Sequence, residues 1–255
     1  MKNLFIFFRH FLKTTFQKKI AYILHFIAPA AGFTGMFFLL RMAESAAFAG
    51  IQALGIVVIL SMIQAVLIVS LVLQDKEQGV LKRIRVSPAS PLIYVAGNGI
   101  AAFFILILQS LFFISFLYLI LRIPLGLKFH QLFLILNILN VSNIGLGFLL
   151  CSLSDSSSAA LVLANVVILF TSLMGGSFFP VEFMNPFMQK LALAFPQYWV
   201  MKAIQETQEA GTLTKGGISL LILLLFGILF ITLRGVVERR RDRKSTRLNS
   251  SHGKL

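Results

Sequence analysis

Six apolar runs, each near the ~20 residues that cross a bilayer, alternate along the chain with short polar segments. They predict membrane-spanning helices over about Ile20–Leu40, Ile51–Leu73, Tyr94–Leu121, Leu132–Leu153, Ala159–Phe178 and Ile218–Val237. The connection Arg41–Gly50 leaves no room for a domain, so the first two runs form a helical hairpin. Gln74–Pro91 is charged and carries the steps Ser87-Pro88 and Ser90-Pro91, where the residue before proline is pushed out of helical geometry. Ser154–Ser158 is a tight turn in which Asp155 or a neighbouring serine can cap the next helix.

Two segments outside these runs have patterns of their own. Leu4, Phe8, Phe11, Leu12 and Phe16 share one helical face, with Arg9 and Lys13 on the other, which predicts an amphipathic helix lying on the membrane surface. A cleaved signal peptide fits less well, because Lys13, Lys18 and Lys19 interrupt the apolar run and no small-residue cleavage site follows promptly. Phe179–Gly217 is too polar and too broken by proline to cross fully, yet Phe187–Phe195 is apolar. A re-entrant hairpin is expected there, since irregular backbone at membrane depth must be covered by protein or line a water-filled cavity. The expected fold is an all-α integral membrane protein with six transmembrane helices.

Composition agrees with this pattern. The chain is 58% hydrophobic and 13% charged, holds 26 Phe, and has a mean hydropathy of +0.89, far more apolar than the roughly 45–50% of soluble domains. Cys151 is the only cysteine, which excludes an internal disulfide framework and a Cys-based zinc site. A net charge of +14 would suggest nucleic acid in a soluble protein, but here the basic residues cluster at the ends of apolar runs, where they serve lipid headgroups and topology. No nucleic-acid partner is expected. Asp242–Leu255 contains DRKSTRLNSSH, which looks like a translated sequencing adapter. Residues 1–241 are therefore read as one membrane domain and residues 242–255 as a non-native tail, with the true C-terminus missing.

Orientation follows from the basic residues. With the N-terminus inside, the cytoplasmic segments hold thirteen, namely Lys2, Arg9, Lys13, Lys18, Lys19, Lys76, Lys82, Arg83, Arg85, Arg234 and Arg239 to Arg241. The outer segments hold six, Arg41, Arg122, Lys128, Lys190, Lys202 and Lys215. This bias predicts that both termini are cytoplasmic in a multi-pass protein of the plasma membrane.

Candidate chemistry inside the spans is sparse. His25 is the one titratable residue well inside a run, and a lone histidine there serves more often as an interhelical hydrogen-bonding group than as a catalyst. Gly175-Gly176-Ser177 offers a serine without a paired histidine, and no HExxH motif occurs. The same scarcity of Asp, Glu and His argues against proton-coupled transport. The sequence also lacks a GxxxxGK[ST] phosphate loop, so any ATPase must be another polypeptide. Asn137, Asn140 and Asn143 form a polar stripe on the fourth run, followed by Gly145 and Gly147. The stripe has two readings, a pathway or dimer face and ordinary helix-to-helix packing. The sequon Asn140-Val141-Ser142 is a false positive inside a span.

Two motifs carry a family resemblance. Asp75-Lys76-Glu77-Gln78-Gly79-Val80-Leu81-Lys82-Arg83-Ile84-Arg85-Val86-Ser87-Pro88 resembles the cytoplasmic coupling segment of ABC type-2 exporter permeases. Gly175-Gly176-Ser177-Phe178-Phe179-Pro180-Val181-Glu182, followed by Asn185-Pro186 and Phe195-Pro196, is similar to that family's extracellular re-entrant hairpin, and the amphipathic start resembles its elbow helix.

The resemblance implies a permease that works as a homo- or heterodimer with separate ATP-binding subunits, ATP and Mg²⁺ being held by those partners and no cofactor by this chain. It assigns coupling to Glu77, Gly79, Leu81, Lys82, Arg83, Arg85 and Pro88, and the hairpin to Gly175, Gly176, Pro180, Glu182, Pro186 and Pro196. A short helix there, with Glu77, Lys82, Arg83 and Arg85 exposed, is suited to seat in a groove of a soluble partner, and Gly79 permits a bend. The rivals are an ion-gradient-driven carrier and a non-transporting scaffold or immunity protein. Nothing in the sequence selects a substrate.

Overall fold

The computed structural model describes residues 2–17, 23–85 and 91–252, and all regular structure among them is helical. The helices are α1 (Lys2–Phe16), α2 (Ala28–Arg41), α3 (Ala46–Glu77), α4 (Val80–Arg85), α5 (Pro91–Ser115), α6 (Phe129–Leu153), α7 (Ser157–Met174), α8 (Pro186–Ala192), α9 (Pro196–Ala210) and α10 (Leu213–His252). Five are long and apolar enough to cross a membrane: α3, α5 extended to Leu121 by a π-helical turn, α6, α7 and the Leu213–Arg239 part of α10. The run expected as the first span begins at Ile20, outside the described residues. Its described part is the π-helical turn Ile23–Ile27, which runs directly into α2. Pro29 in the first turn of α2 accounts for the widened turn, because proline lacks the N–H that would close on the His25 carbonyl.

Caps explain where the observed helices depart from the apolar runs. The second helix is longer than Ile51–Leu73 because Ser45 caps it, its side chain accepting the Phe48 N–H at 3.3 Å, and because helical geometry persists through Asp75, Lys76 and Glu77. The fifth stops at Met174 rather than Phe178, since the backbone turns at Gly175 and Gly176 takes φ 82°. Its start is capped by Ser156, which accepts the Ala159 N–H. The last helix begins at Leu213 and continues through the segment set aside as foreign.

Helix α3 is the hub. Of its most apolar stretch 72% is buried, against 17% for α10, so α3 lies inside the bundle and α10 presents its surface outward. Helix α6 is wedged between them, and small residues permit both approaches. A Cβ on Gly145 would lie 2.8 Å from the Gly227 carbonyl oxygen of α10, and one on Gly147 would lie 3.3 Å from Val69 Cγ2 of α3. Ser142 Oγ donates to the Leu223 carbonyl of α10 at 2.5 Å. In lipid, where apolar surfaces gain little by burial against each other, such close packing and hydrogen bonds are what hold helices together.

Helix α1 packs along α5, with Gly97 admitting the backbone of Leu4 and the Phe7 side chain. Phe11 is buried, while Phe8, Leu12 and Phe16 are partly buried against the core, as the one-faced pattern predicts. Phe7, outside that predicted face, also packs inward, edge-on to Tyr94.

Candidate coupling site

The end of α3 is built to turn the chain and to hold a neighbour. Gly79 adopts φ 74° and donates its N–H to the Lys76 carbonyl at 3.1 Å, closing α3 with a left-handed residue before α4 begins. A Cβ on Gly79 would meet nothing within 4 Å, so it is conformation rather than space that calls for glycine. Ile84 of α4 is buried and Val80, one turn away, packs against the core, whereas Arg83 is exposed and donates to the Gln78 carbonyl at 3.3 Å. Helix α4 is thus docked by one side, with Arg83 outward. Leu81, Lys82 and Arg85 belong to α4, and Pro88 lies outside the described residues.

Glu77 has a partner inside the chain. Its Oε1 accepts the Ser157 N–H at 2.5 Å and its Oε2 accepts the Ser157 hydroxyl at 3.4 Å. The carboxylate therefore lies at the N-terminus of α7, where unpaired backbone N–H groups and the helix dipole favour negative charge. Next to it, Tyr94 of α5 donates its hydroxyl to Asp75 Oδ2. Asp75 and Glu77 thus tie one end of α3 to α5 and to α7.

At the other end of α7 the predicted hairpin residues meet α3. A Cβ on Gly55 would fall 1.9 Å from the Ser177 carbonyl oxygen, and Gln52 Nε2 donates to that oxygen at 3.3 Å. A Cβ on Gly175 would lie 2.8 Å from Gln197 Cβ of α9, whose Nε2 donates to Thr171 Oγ1 at 2.6 Å. Pro180 precedes the 3₁₀ turn Val181–Phe183, and Glu182 is exposed. Asn185 caps α8 by accepting the Met188 N–H, and Pro186 and Pro196 open α8 and α9, positions where a missing N–H costs no helical bond.

A sequence-family model described as ABC-2 type transporter matches residues 3–208, which takes in α1 through most of α9. The chain belongs to the ABC-2 type transporter family. No curated protein matches it significantly. As a member of this family it is a transmembrane permease of an ABC-type transporter, a multi-pass transport subunit of a family that associates with ABC ATP-binding subunits.

In this ABC-2 permease the asparagine stripe is divided. Asn140 is buried and donates to Ser110 Oγ of α5 at 3.0 Å and to the Leu106 carbonyl. Asn143 is buried and donates to Ser61 Oγ of α3 at 3.3 Å. Asn137 is half-buried and bonds back to its own helix at Phe133. Interhelical packing accounts for the first two. The sequence offered no signal for Ser157 or Gly55, whose roles come from partners distant in the chain, and Tyr94 lies outside the quoted motifs. Among the described residues, no group of three or more His, Cys, Asp or Glu is placed to hold a metal ion.

Proposed function

We propose that this permease is the membrane half of an ATP-driven exporter, forming its translocation pathway as a dimer and driven by separate ATP-binding subunits that carry ATP and Mg²⁺. The observation that carries the reading is the end of α3: a glycine turn leads into a short helix docked by Val80 and Ile84, with Arg83 outward, and the neighbouring Glu77 is bonded to the first turn of α7. A partner that pushes on α4 would move α3 and α7 together, since a rigid-body displacement is transmitted through such fixed contacts.

The fuller architecture goes with this reading. Six helices span, the first beginning near Ile20, and α1 is the cytoplasmic elbow. Helices α8 and α9 form the re-entrant hairpin on the outer side, and both termini lie in the cytoplasm of a cell bounded by its plasma membrane. The domain ends near Arg241, with residues 242–255 foreign to it.

Affinity-tagged permease would be co-expressed with each ABC ATP-binding subunit of its own genome in turn. Co-purification, with ATP hydrolysis that depends on the permease, supports the exporter. Transport driven by an ion gradient with no ATPase bound would favour a carrier, and the absence of any transport a scaffold.

A further inference from the structure

A cavity of about 400 Å³ opens between α1, the turn Ile23–Ile27, the end of α3 and the start of α5. Its size falls in the range of small-molecule sites. Its lining includes apolar and aromatic side chains, Phe7, Phe11 and Leu71 among them. It also holds Asp75, Tyr94, Asn98 and two histidines, His10 and His25. Asp75 is the only acidic residue on the wall, and neither Lys nor Arg lines it among the described residues.

Asp75 is fixed in place. Tyr94 is buried and donates to Asp75 Oδ2, so the carboxylate is held in one orientation, while Oδ1 accepts no bond among the described residues. Asn98, also buried, lies beside the Tyr94 hydroxyl. His25, also buried, sits against Gln64.

We propose that this cavity binds a small amphipathic amine, its protonated nitrogen at Asp75 and its apolar body against Phe7, Phe11 and Leu71. A single oriented carboxylate, with no Lys or Arg beside it among the described residues, selects positive charge. Partly screened from water, that attraction is stronger than at an open surface, and aromatic faces add to it. An anion would meet the carboxylate unpaired, and a neutral hydrocarbon would leave it without a counter-charge. The site needs only the permease and goes beyond the exporter reading, so either can fail while the other stands.

The test uses the full-length permease alone in phosphatidylcholine nanodiscs, with tritiated propranolol, a naphthyl secondary amine, as probe and empty nanodiscs subtracted. Saturable binding is expected, competed by unlabelled propranolol and not by 1-naphthylacetate. Asp75→Asn, which keeps the shape and removes the charge, is expected to weaken binding at least tenfold. Leu71→Trp, which fills the cavity from a half-buried position, is expected to abolish it, so a folding defect in one variant still leaves the other as a test. Binding no greater than to empty nanodiscs, equal competition by 1-naphthylacetate, or wild-type affinity in either folded variant would overturn the site.

Discussion

Glu77, in the last turn of α3, accepts the backbone N–H of Ser157, in the first turn of α7, at 2.5 Å, and so binds together two helix ends far apart in the chain. The contact changes what a mutation at Glu77 tests. A carboxylate read from the sequence as facing an ATP-binding partner also caps α7, so its loss acts on stability and on coupling together.

Glu77→Ala is therefore expected to destabilise the isolated permease by about 1 kcal/mol, the usual worth of a helix cap, with Glu77→Gln losing less because the amide oxygen still accepts. For a domain of this size that corresponds to a fall in Tm of about 2–4 °C, read by thermal unfolding in detergent. An unchanged Tm for Glu77→Ala would show that the contact with Ser157 carries no stability.

Gly79→Ala is expected to cost about 1 kcal/mol from backbone strain alone, because φ is 74° and the added methyl would touch nothing. Gly79→Asn should be milder, since asparagine tolerates the left-handed region better. Equal stability of the alanine variant and wild type would mean that the turn relaxes freely.

Gly55→Ala is the severe case. Its methyl would sit 1.9 Å from the Ser177 carbonyl oxygen, so α3 and the segment after α7 must separate, at a cost of about 3 kcal/mol or more. The yield of monodisperse protein by fluorescence-detected gel filtration should fall sharply. Gly35→Ala, with nothing within 4 Å, serves as the matched control and should be neutral or slightly stabilising.

The Asn140–Ser110 pair calls for a double-mutant cycle with Asn140→Leu and Ser110→Ala. Interhelical hydrogen bonds in membrane proteins couple by about 0.6 kcal/mol and rarely by more than about 1.7, because the unfolded chain in lipid also finds partners. A coupling energy of zero would assign Asn140 to something other than packing α6 on α5.

How far the sequence disclosed this fold follows from which forces are local. Apolar runs announce spans because length and hydropathy are properties of one segment, and Pro186 and Pro196 open helices where their chemistry requires it. The serine cap expected within Ser154–Ser158 is Ser156, but other helix ends were harder to read: Ser45 extends the second span toward its start, and Asp75 to Glu77 remain helical despite their charge. The contacts that organise the coupling site, Glu77 with Ser157 and Asp75 with Tyr94, join separate helices, and no periodicity records them. Gly55 is one small residue in an apolar run, and only the fold sets Ser177 against it.

Charge reversal at Lys82 together with Arg83 separates coupling from folding. Arg83 is exposed and its side chain donates to the carbonyl of Gln78, so replacing it should shift stability by no more than about 0.5 kcal/mol. An interface with a partner is less forgiving, because a close charge pair across it can couple by roughly 1.5–7 kcal/mol. The double variant Lys82→Glu, Arg83→Glu is thus expected to reach the membrane at wild-type levels with an unchanged Tm, yet to lose co-purification of the ATP-binding subunit or to leave its hydrolysis indifferent to substrate. Complexes of wild type and variant would be compared for both properties. Wild-type binding and wild-type transport by the variant would show that the Arg83 side of α4 is a solvated surface, and coupling would then have to be sought elsewhere on this end of the bundle.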